Sequence, residues 1–458
     1  MTVTLPPVGQ RYFDPVRETM PRDELAALQW DLLAETIAFA YERAPLVRRI
    51  WDDAGVRPGD LHDIADFTAR VPCCDKDTLR RWRTERGDPF GGLLATDPAG
   101  LTAVTSTSGT TGEPTLVPEL WGRGSVGPPA IMYRDFWEMG VRPGDHVSLF
   151  LFTFRGPVFA FVQQLGAVPV LFDHDVAEIE RLLRTSAELR PTALYNFGGP
   201  MLRATAEVAA TTGLDPAEML GSYRAVVAAG EPLGRRARAL AADWGLPIFE
   251  HSSVGDVTGC FECREHAGMH VWEDTVLLEG LDPDGAWTTY PTGATLPVEC
   301  GDTTGAPVAR RVELVATSLT NRVAPLVRFR SGDLVDIDRT RCACGRTHAR
   351  IRTVGRRSDE VIVAGRSVLP VDVWEAVESV PACRLGLFQI VRPARHAEVL
   401  RLRVGYRDTP PARLGALRDE VAAAVAEAVG LEPVVELVSD LDLLRLGPPH
   451  KIPRVTSR

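Results

Sequence analysis

Between about residue 100 and residue 250, short apolar runs alternate with segments of helical period, and no other feature constrains the fold as much. "GDHVSLFLF", "AVPVLF", "TALYNF", "YRAVVAAG" and "LPIFEH" read as strands, with "EIERLLRTSAELR" and "GRRARALAADW" as helices among them. A strand apolar along its whole length has to be covered on both faces, and helical crossovers connect such strands in parallel. The spacing therefore predicts an α/β chain with mostly parallel sheets flanked by helices. Upstream, "RDELAALQWDLLAETIAFAYERAPLVRRI" carries apolar residues at helical spacing and meets its first proline at Pro45. Asp75 in "VPCCDKDTLRRW" is placed to cap the next helix.

The last hundred residues have another texture. After the short polar stretch "VGRRSDE" come a strand ("VIVAG"), a helix from Pro370, strands in "LGLFQIV" and "EVLRLRVGY", a helix ("LGALRDEVAAAVAEAVG") and a strand ("PVVELV"). This is a small α+β unit able to form its own core. The expected domains are 1–356, large and N-terminal, and 357–458, small and C-terminal.

Composition excludes several classes. The chain of 458 residues carries a formal net charge of -10, and no large basic face is available to release counterions from phosphates, so no nucleic-acid partner is expected. "VSLFLFTF" falls far short of the roughly 20 apolar residues of a membrane-spanning helix, and the N-terminus lacks a signal-peptide pattern. A soluble, cytoplasmic protein without a membrane partner is the expectation, and a homodimer is a possible assembly. In such a setting the 8 cysteines are thiols or metal ligands rather than a disulfide framework.

Two constellations carry chemistry. In "TSTSGTTGEPT", Ser106, Thr107, Ser108, Gly109, Thr110, Thr111 and Gly112 offer hydroxyls and backbone N–H groups that can wrap phosphate oxygens. The Gly-Lys-Ser/Thr ending of a nucleotide-triphosphatase loop is absent, Glu113 standing where a lysine would be expected, and the loop alone reads equally well as a surface turn. Separately, Cys263 and His270 in "CREHAGMH" and Cys342 and Cys344 in "RCACGRTH" make three sulfurs and one imidazole, a closed tetrahedral set suited to structural zinc. Reduced free thiols are the alternative, and Cys260, His266 and His348 are substitute ligands. Cys73, Cys74, Cys300 and Cys383 have no evident partner.

With "AGEPL", "GMHVWED", "VELVATSLTNRVAPLVRFRSGD", "VGRRSDE" and "HKIPRV" following in order, the chain resembles the acyl-adenylate-forming ligase superfamily, and within it the phenylacetate–CoA ligase branch. The resemblance implies an enzyme, one that adenylates an aryl or similar carboxylic acid with ATP and Mg2+ and passes the acyl group to coenzyme A. A different acceptor or acid remains open: amide formation, carrier-protein loading, or nitrite activation for diazotisation of an arylamine, as in secondary metabolism. A non-catalytic nucleotide or acyl sensor is the reading from another class. The resemblance makes Ser106–Gly112 the phosphate loop and Gly230, Glu231 and Pro232 the adenine-side segment. It makes Asp333 the ribose ligand, against a turn-capping role, and Arg356 (or its neighbour Arg357) a nucleotide contact. It makes Lys451 the catalytic cation, against a solvated tail lysine, on a mobile C-terminal domain that swings near Ser358. The chain departs from the pattern in "EHSSVGDVTG", where relatives carry Tyr-Gly and then a Ser/Thr-Glu pair. Ser252 and Ser253 then stand beside the nucleotide, and Asp256 is the magnesium ligand and a catalytic residue. Phe154, Phe159, Tyr195, Asn196 and Phe197 are candidates for the acyl pocket, or else core aromatics.

Overall fold

The computed structural model describes residues 4–106, 115–120, 129–151, 158–230, 232–254, 257–281, 295–296, 309–444, 446 and 452–457. The chain divides into two compact units: Met1–Asp145, Leu151–Pro169 and His251–Thr353 form one, and His146–Phe150, Val170–Glu250 and Val354–Arg458 the other.

In the first unit, the helix Arg22–Arg43 ends where Pro45 opens the helix Pro45–Asp53, since proline is accommodated in a first turn but not in a helix interior. Leu33, Ile37, Trp51 and Phe67 share a core with Leu277 and Phe329 of the sheet and with Leu319 just past a strand end. Asp75 caps Lys76–Arg86 by accepting the Thr78 N–H at 2.8 Å. The sheet runs Val276–Leu281, Ala309–Ser318, Phe329–Asp338, Arg350–Arg356, Met269–Val271, Thr258–Glu262 and the end of Ile248–Val254. Its registers are antiparallel, for example Leu278 opposite Ala316, His270 opposite both Arg350 and Phe261, and Ser252 opposite Cys260.

In the second unit, the expected strands fall at His146–Leu151, Val168–Asp173, Ala193–Tyr195, Ala225–Ala229 and Ile248–Val254. His146–Leu151, Ala193–Tyr195 and Ala225–Ala229 pair in parallel (Val147 with Ala193, Ala193 with Ala225). Helices Ile179–Leu189, Gly199–Thr212 and Arg235–Asp243 supply the rest of a core containing Phe150, Phe172, Leu183, Phe197 and Val226. Val168–Asp173 lies at the sheet edge, where Pro169 deprives no neighbour of a hydrogen bond. A polar thread crosses this core: the Tyr223 hydroxyl donates to Ser148 Oγ at 2.8 Å and lies 2.7 Å from Ser186 Oγ. Burial pushes its phenol up to about 12.

The C-terminal residues form the expected α+β arrangement. Pro433–Ser439, Leu400–Tyr406, Phe388–Val391 and Val455–Thr456 make a four-stranded sheet in that order. Helices Pro370–Ser379 and Leu414–Val429 cover it, burying Val373, Phe388, Val404 and Val421. Among the described residues no helix is long and apolar enough to cross a membrane.

Tyr223→Phe strands two buried serine hydroxyls and should cost about 1–3 kcal/mol. A lowered midpoint in denaturant unfolding is the expected result, and an unchanged one contradicts this role for the hydroxyl.

Candidate active site and metal centre

Cys263 directly follows the strand Thr258–Glu262, His270 sits in Met269–Val271, and Cys342 and Cys344 lie in the turn between Phe329–Asp338 and Arg350–Arg356. The antiparallel register carries His270 beside both neighbouring strands, so residues up to 81 positions apart converge. All four are buried, and their ligand atoms lie within 4.8 Å of one another. Cys263 Sγ is 3.8 Å from Cys342 Sγ, and Cys344 Sγ is 3.4 Å from His270 Nε2. A tetrahedral ion with metal–sulfur bonds of about 2.3 Å and a metal–nitrogen bond of about 2.0 Å sets its ligands roughly 3.5–3.8 Å apart. The donor set fits such an ion. His270 Nδ1 lies 3.2 Å from the His348 carbonyl, and an N–H there leaves the Nε2 lone pair aimed at the sulfurs. The substitute ligands are engaged elsewhere: Cys260 beside the Ser252 carbonyl, His266 3.2 Å from Glu262, and His348 accepting the Glu273 N–H and facing the Arg17 carbonyl.

A buried ionic shell surrounds this centre. Arg346 pairs with Glu18 at 2.7 Å and Glu138 at 2.8 Å, with its Nη1 3.8 Å from Cys344 Sγ. Arg134 grips Asp274 through two 2.8 Å hydrogen bonds, and Arg22 pairs with Glu273. Burial alone would raise the Glu273 carboxyl, but Arg22 holds it below the usual range. The N-terminal segment is fastened to the same loop: Tyr12 Oη donates to the Cys344 carbonyl at 2.6 Å, and Thr347 Oγ1 donates to the Met20 carbonyl at 2.6 Å. Sequence reasoning missed Tyr12, Glu18 and Arg346. Their only signal is arginine beside the cysteines in "CACGR".

Of the nucleotide-side residues, Asp333 follows Gly332 (φ +76°) in the strand Phe329–Asp338 and is half-buried, its N–H donating to Ser331 Oγ at 3.0 Å. Ser106 closes the strand Ala103–Ser106 opposite Leu116. Ser252 and Ser253 pair with Cys260 and Gly259 near the end of Ile248–Val254. These four belong to the first unit. In the second, Gly230 (φ +100°) follows the strand Ala225–Ala229, Pro232 leads to Leu233, whose N–H donates to Glu250 Oε1 at 3.1 Å, and Arg356 ends its strand. Thr107, Ser108, Gly109, Thr110, Thr111, Gly112, Glu113, Phe154, Glu231, Asp256, Cys300 and Lys451 lie outside the described residues.

Tyr195, Asn196 and Phe197 lie at the C-terminal end of a parallel strand, where open α/β sheets place their ligands. Asn196 has φ +65°, a left-handed conformation asparagine tolerates, and its side-chain N–H donates to the Phe150 carbonyl at 3.0 Å. Phe197 is fully buried, its ring 5.5 Å from that of Phe150, so it serves the core of this unit. Phe159 lies in the first-unit helix Val158–Gln164.

No family model matches the chain. It is 29% identical over 469 residues to phenylacetate-coenzyme A ligase from Thermus thermophilus, covering 96% of each chain. With phenylacetate-coenzyme A ligase from Aromatoleum evansii it shares 27% identity over 444 residues, 93% of this chain and 91% of that one. The structure of a 2-hydroxyisobutyryl-CoA ligase in its postadenylation state aligns with a TM-score of 0.81 and 25% identity, over 99% of this chain and 94% of that one. The fold is that of the acyl-adenylate-forming ligases. Among such enzymes, the chain is similar to these two phenylacetate-coenzyme A ligases.

Arg346→Ala leaves two buried carboxylates uncompensated and should cost about 3–5 kcal/mol. Faster hydrogen exchange across residues 12–22, measured by mass spectrometry, is expected for this variant and for the unaltered protein treated with a metal chelator. Protection unchanged in both contradicts the fastening described here.

Proposed function

We propose that the chain is an AMP-forming acid ligase that joins a carboxylic acid to ATP and hands the acyl group to coenzyme A. The observation that carries this reading is likeness over nearly the full chain length to enzymes named as CoA ligases, among them one whose structure is in the postadenylation state. In the first step a carboxylate oxygen attacks the α-phosphorus, the bond to the β-phosphate breaks, and pyrophosphate leaves with the electron pair. In the second, the thiol sulfur of coenzyme A attacks the acyl carbonyl and AMP leaves.

The residues divide the work by chemistry. Ser106 to Gly112 cradle the phosphates, the Asp333 carboxylate accepts hydrogen bonds from both ribose hydroxyls, Gly230 to Pro232 flank the adenine with Ser252 and Ser253 nearby, and Arg356 contacts the nucleotide. Lys451 places a compact ammonium between the attacking carboxylate and the α-phosphate. Asp256 would hold a magnesium ion, which when bound neutralises charge on the departing pyrophosphate. Tyr195 and Asn196, with Phe154 and Phe159, face the acyl group. The residues after Arg356 act as a lobe that turns near Ser358 between the half-reactions. Cys263, His270, Cys342 and Cys344 are assigned to zinc with a structural role, because four protein donors leave no position for water or substrate.

Acid-dependent pyrophosphate release, screened over aryl and short aliphatic carboxylates, tests the first step, and CoA-dependent thioester formation the second. AMP release without a thioester would move the acceptor to an amine, a carrier protein or another nucleophile. Lys451→Ala should lower adenylation by about 10²-fold or more while ATP binding persists. Unchanged turnover removes Lys451 from the chemistry.

A further inference from the structure

The loop after the strand Ala225–Ala229 carries the adenine-side residues at one end and Gly234 at the other, where the helix Arg235–Asp243 begins. Glu378, in the last turn of the C-terminal helix Pro370–Ser379, reaches this helix start. Its Oε2 accepts the backbone N–H of Arg236 at 3.0 Å, and its Oε1 accepts the indole N–H of Trp374 at 2.8 Å. A carboxylate there satisfies a donor that has no partner within its own helix and meets the positive end of the helix dipole.

Glycine makes the approach possible on both sides. A Cβ on Gly234 would lie 2.6 Å from Trp374 Nε1 and closer still to Glu378 Oε1, and a Cβ on Gly386 would lie 2.5 Å from that oxygen. Trp374 is in turn covered by Arg454, whose guanidinium carbon is 3.7 Å from the ring centre and which follows Lys451 by three residues. A second tie runs from Arg407 to Glu207 at 2.7 Å.

We propose that Glu378 is a positioning residue, a latch that holds the C-terminal lobe on the first turn of Arg235–Asp243 in one lobe position and lets go in the other. The proposal rests on the two-step ligase reading with its turning lobe. Glu378 touches neither substrate nor nucleotide in that reading and acts through the lobe that bears Lys451. A contact made in only one lobe position stabilises that position against the other, so it favours one half-reaction at the expense of its partner.

The test uses the full chain with Glu378→Ala, Glu378→Gln and Gly234→Ala. Each half-reaction is timed separately: pyrophosphate release with ATP and phenylacetate or a better acid from the screen, then thioester formation from the isolated acyl-adenylate with coenzyme A. Hydrogen exchange of a peptide spanning residues 233–240 reads the contact itself. Glu378→Ala and Gly234→Ala should speed that exchange and shift the two rates in opposite directions, each by about 3- to 10-fold. Glu378→Gln, whose single amide oxygen can serve only one of the two donors and carries no charge, should recover only part of the difference. Both rates falling together, or neither moving, overturns the proposal, because a merely structural Glu378 lowers both. Unchanged exchange in Glu378→Ala overturns the contact on which it stands. Absence of acid-dependent pyrophosphate release in the unaltered protein defeats the ligase reading instead, and the latch's role with it, while the exchange measurement still decides whether Glu378 holds the helix.

Discussion

The Arg346 guanidinium is the interaction on which the first unit depends. It holds Glu18 from the N-terminal segment and Glu138 from the helix Pro129–Glu138, and it lies 3.8 Å from Cys344 Sγ. Its flat faces are covered as well, with the Tyr12 ring centre at 5.1 Å and that of Trp272 at 5.6 Å. A cation so fully removed from water is tolerated only while every partner stays in place. Three stretches of chain far apart in sequence are therefore fixed by one side chain. The cysteine loop, the N-terminal segment and the helix Pro129–Glu138 are tied to one another through it.

The parallel half of the fold was legible because its strands are apolar along their whole length. Leu149, Leu194 and Val226 are fully buried, and nothing in their neighbourhoods reads as anything but interior strand. The antiparallel half was not legible for the opposite reason. Ala309–Ser318 and Val276–Leu281 contain Glu313 and Glu279, which a pattern reading sends to solvent. Both are buried, paired with Arg330 and Arg328 at 2.8 and 2.7 Å across 17 and 49 residues. A strand whose charges are neutralised from another strand carries no local sign of its burial.

The same distinction runs through the site. Sulfur and imidazole declare themselves by chemistry, so the donor set could be named from the sequence. The choice of Cys263 over Cys260 rested on less, because it depends on where the strand Thr258–Glu262 stops. Cys260, within the strand, turns toward Met269 in the core, and Cys263, just past its end, joins the cluster. Glu18 lies 328 residues from Arg346, and no local pattern links them. Aromatic residues at strand ends were legible as a pair of alternatives only. Of these, Phe197 packs fully buried against Phe150, while its neighbour Asn196 takes a left-handed conformation at the strand end.

An ion in the cluster would account for the arginine, rather than an apolar residue, beside it. Three thiolates and an imidazole around a divalent ion carry one net negative charge, which in a buried site needs a counter-charge. Arg346 stands next to Cys344 to supply it, and the planar guanidinium can engage a sulfur and two carboxylates at once, which a lysine ammonium cannot do with the same geometry. With an ion held by the four donors, as proposed, the N-terminal segment would share its cation with that centre. Loss of the ion would let the thiols take up protons and would remove the anion at Cys344. Arg346 would then face two carboxylates with its third partner neutralised, and the hold on Glu18 would change without any atom of the N-terminal segment having been touched.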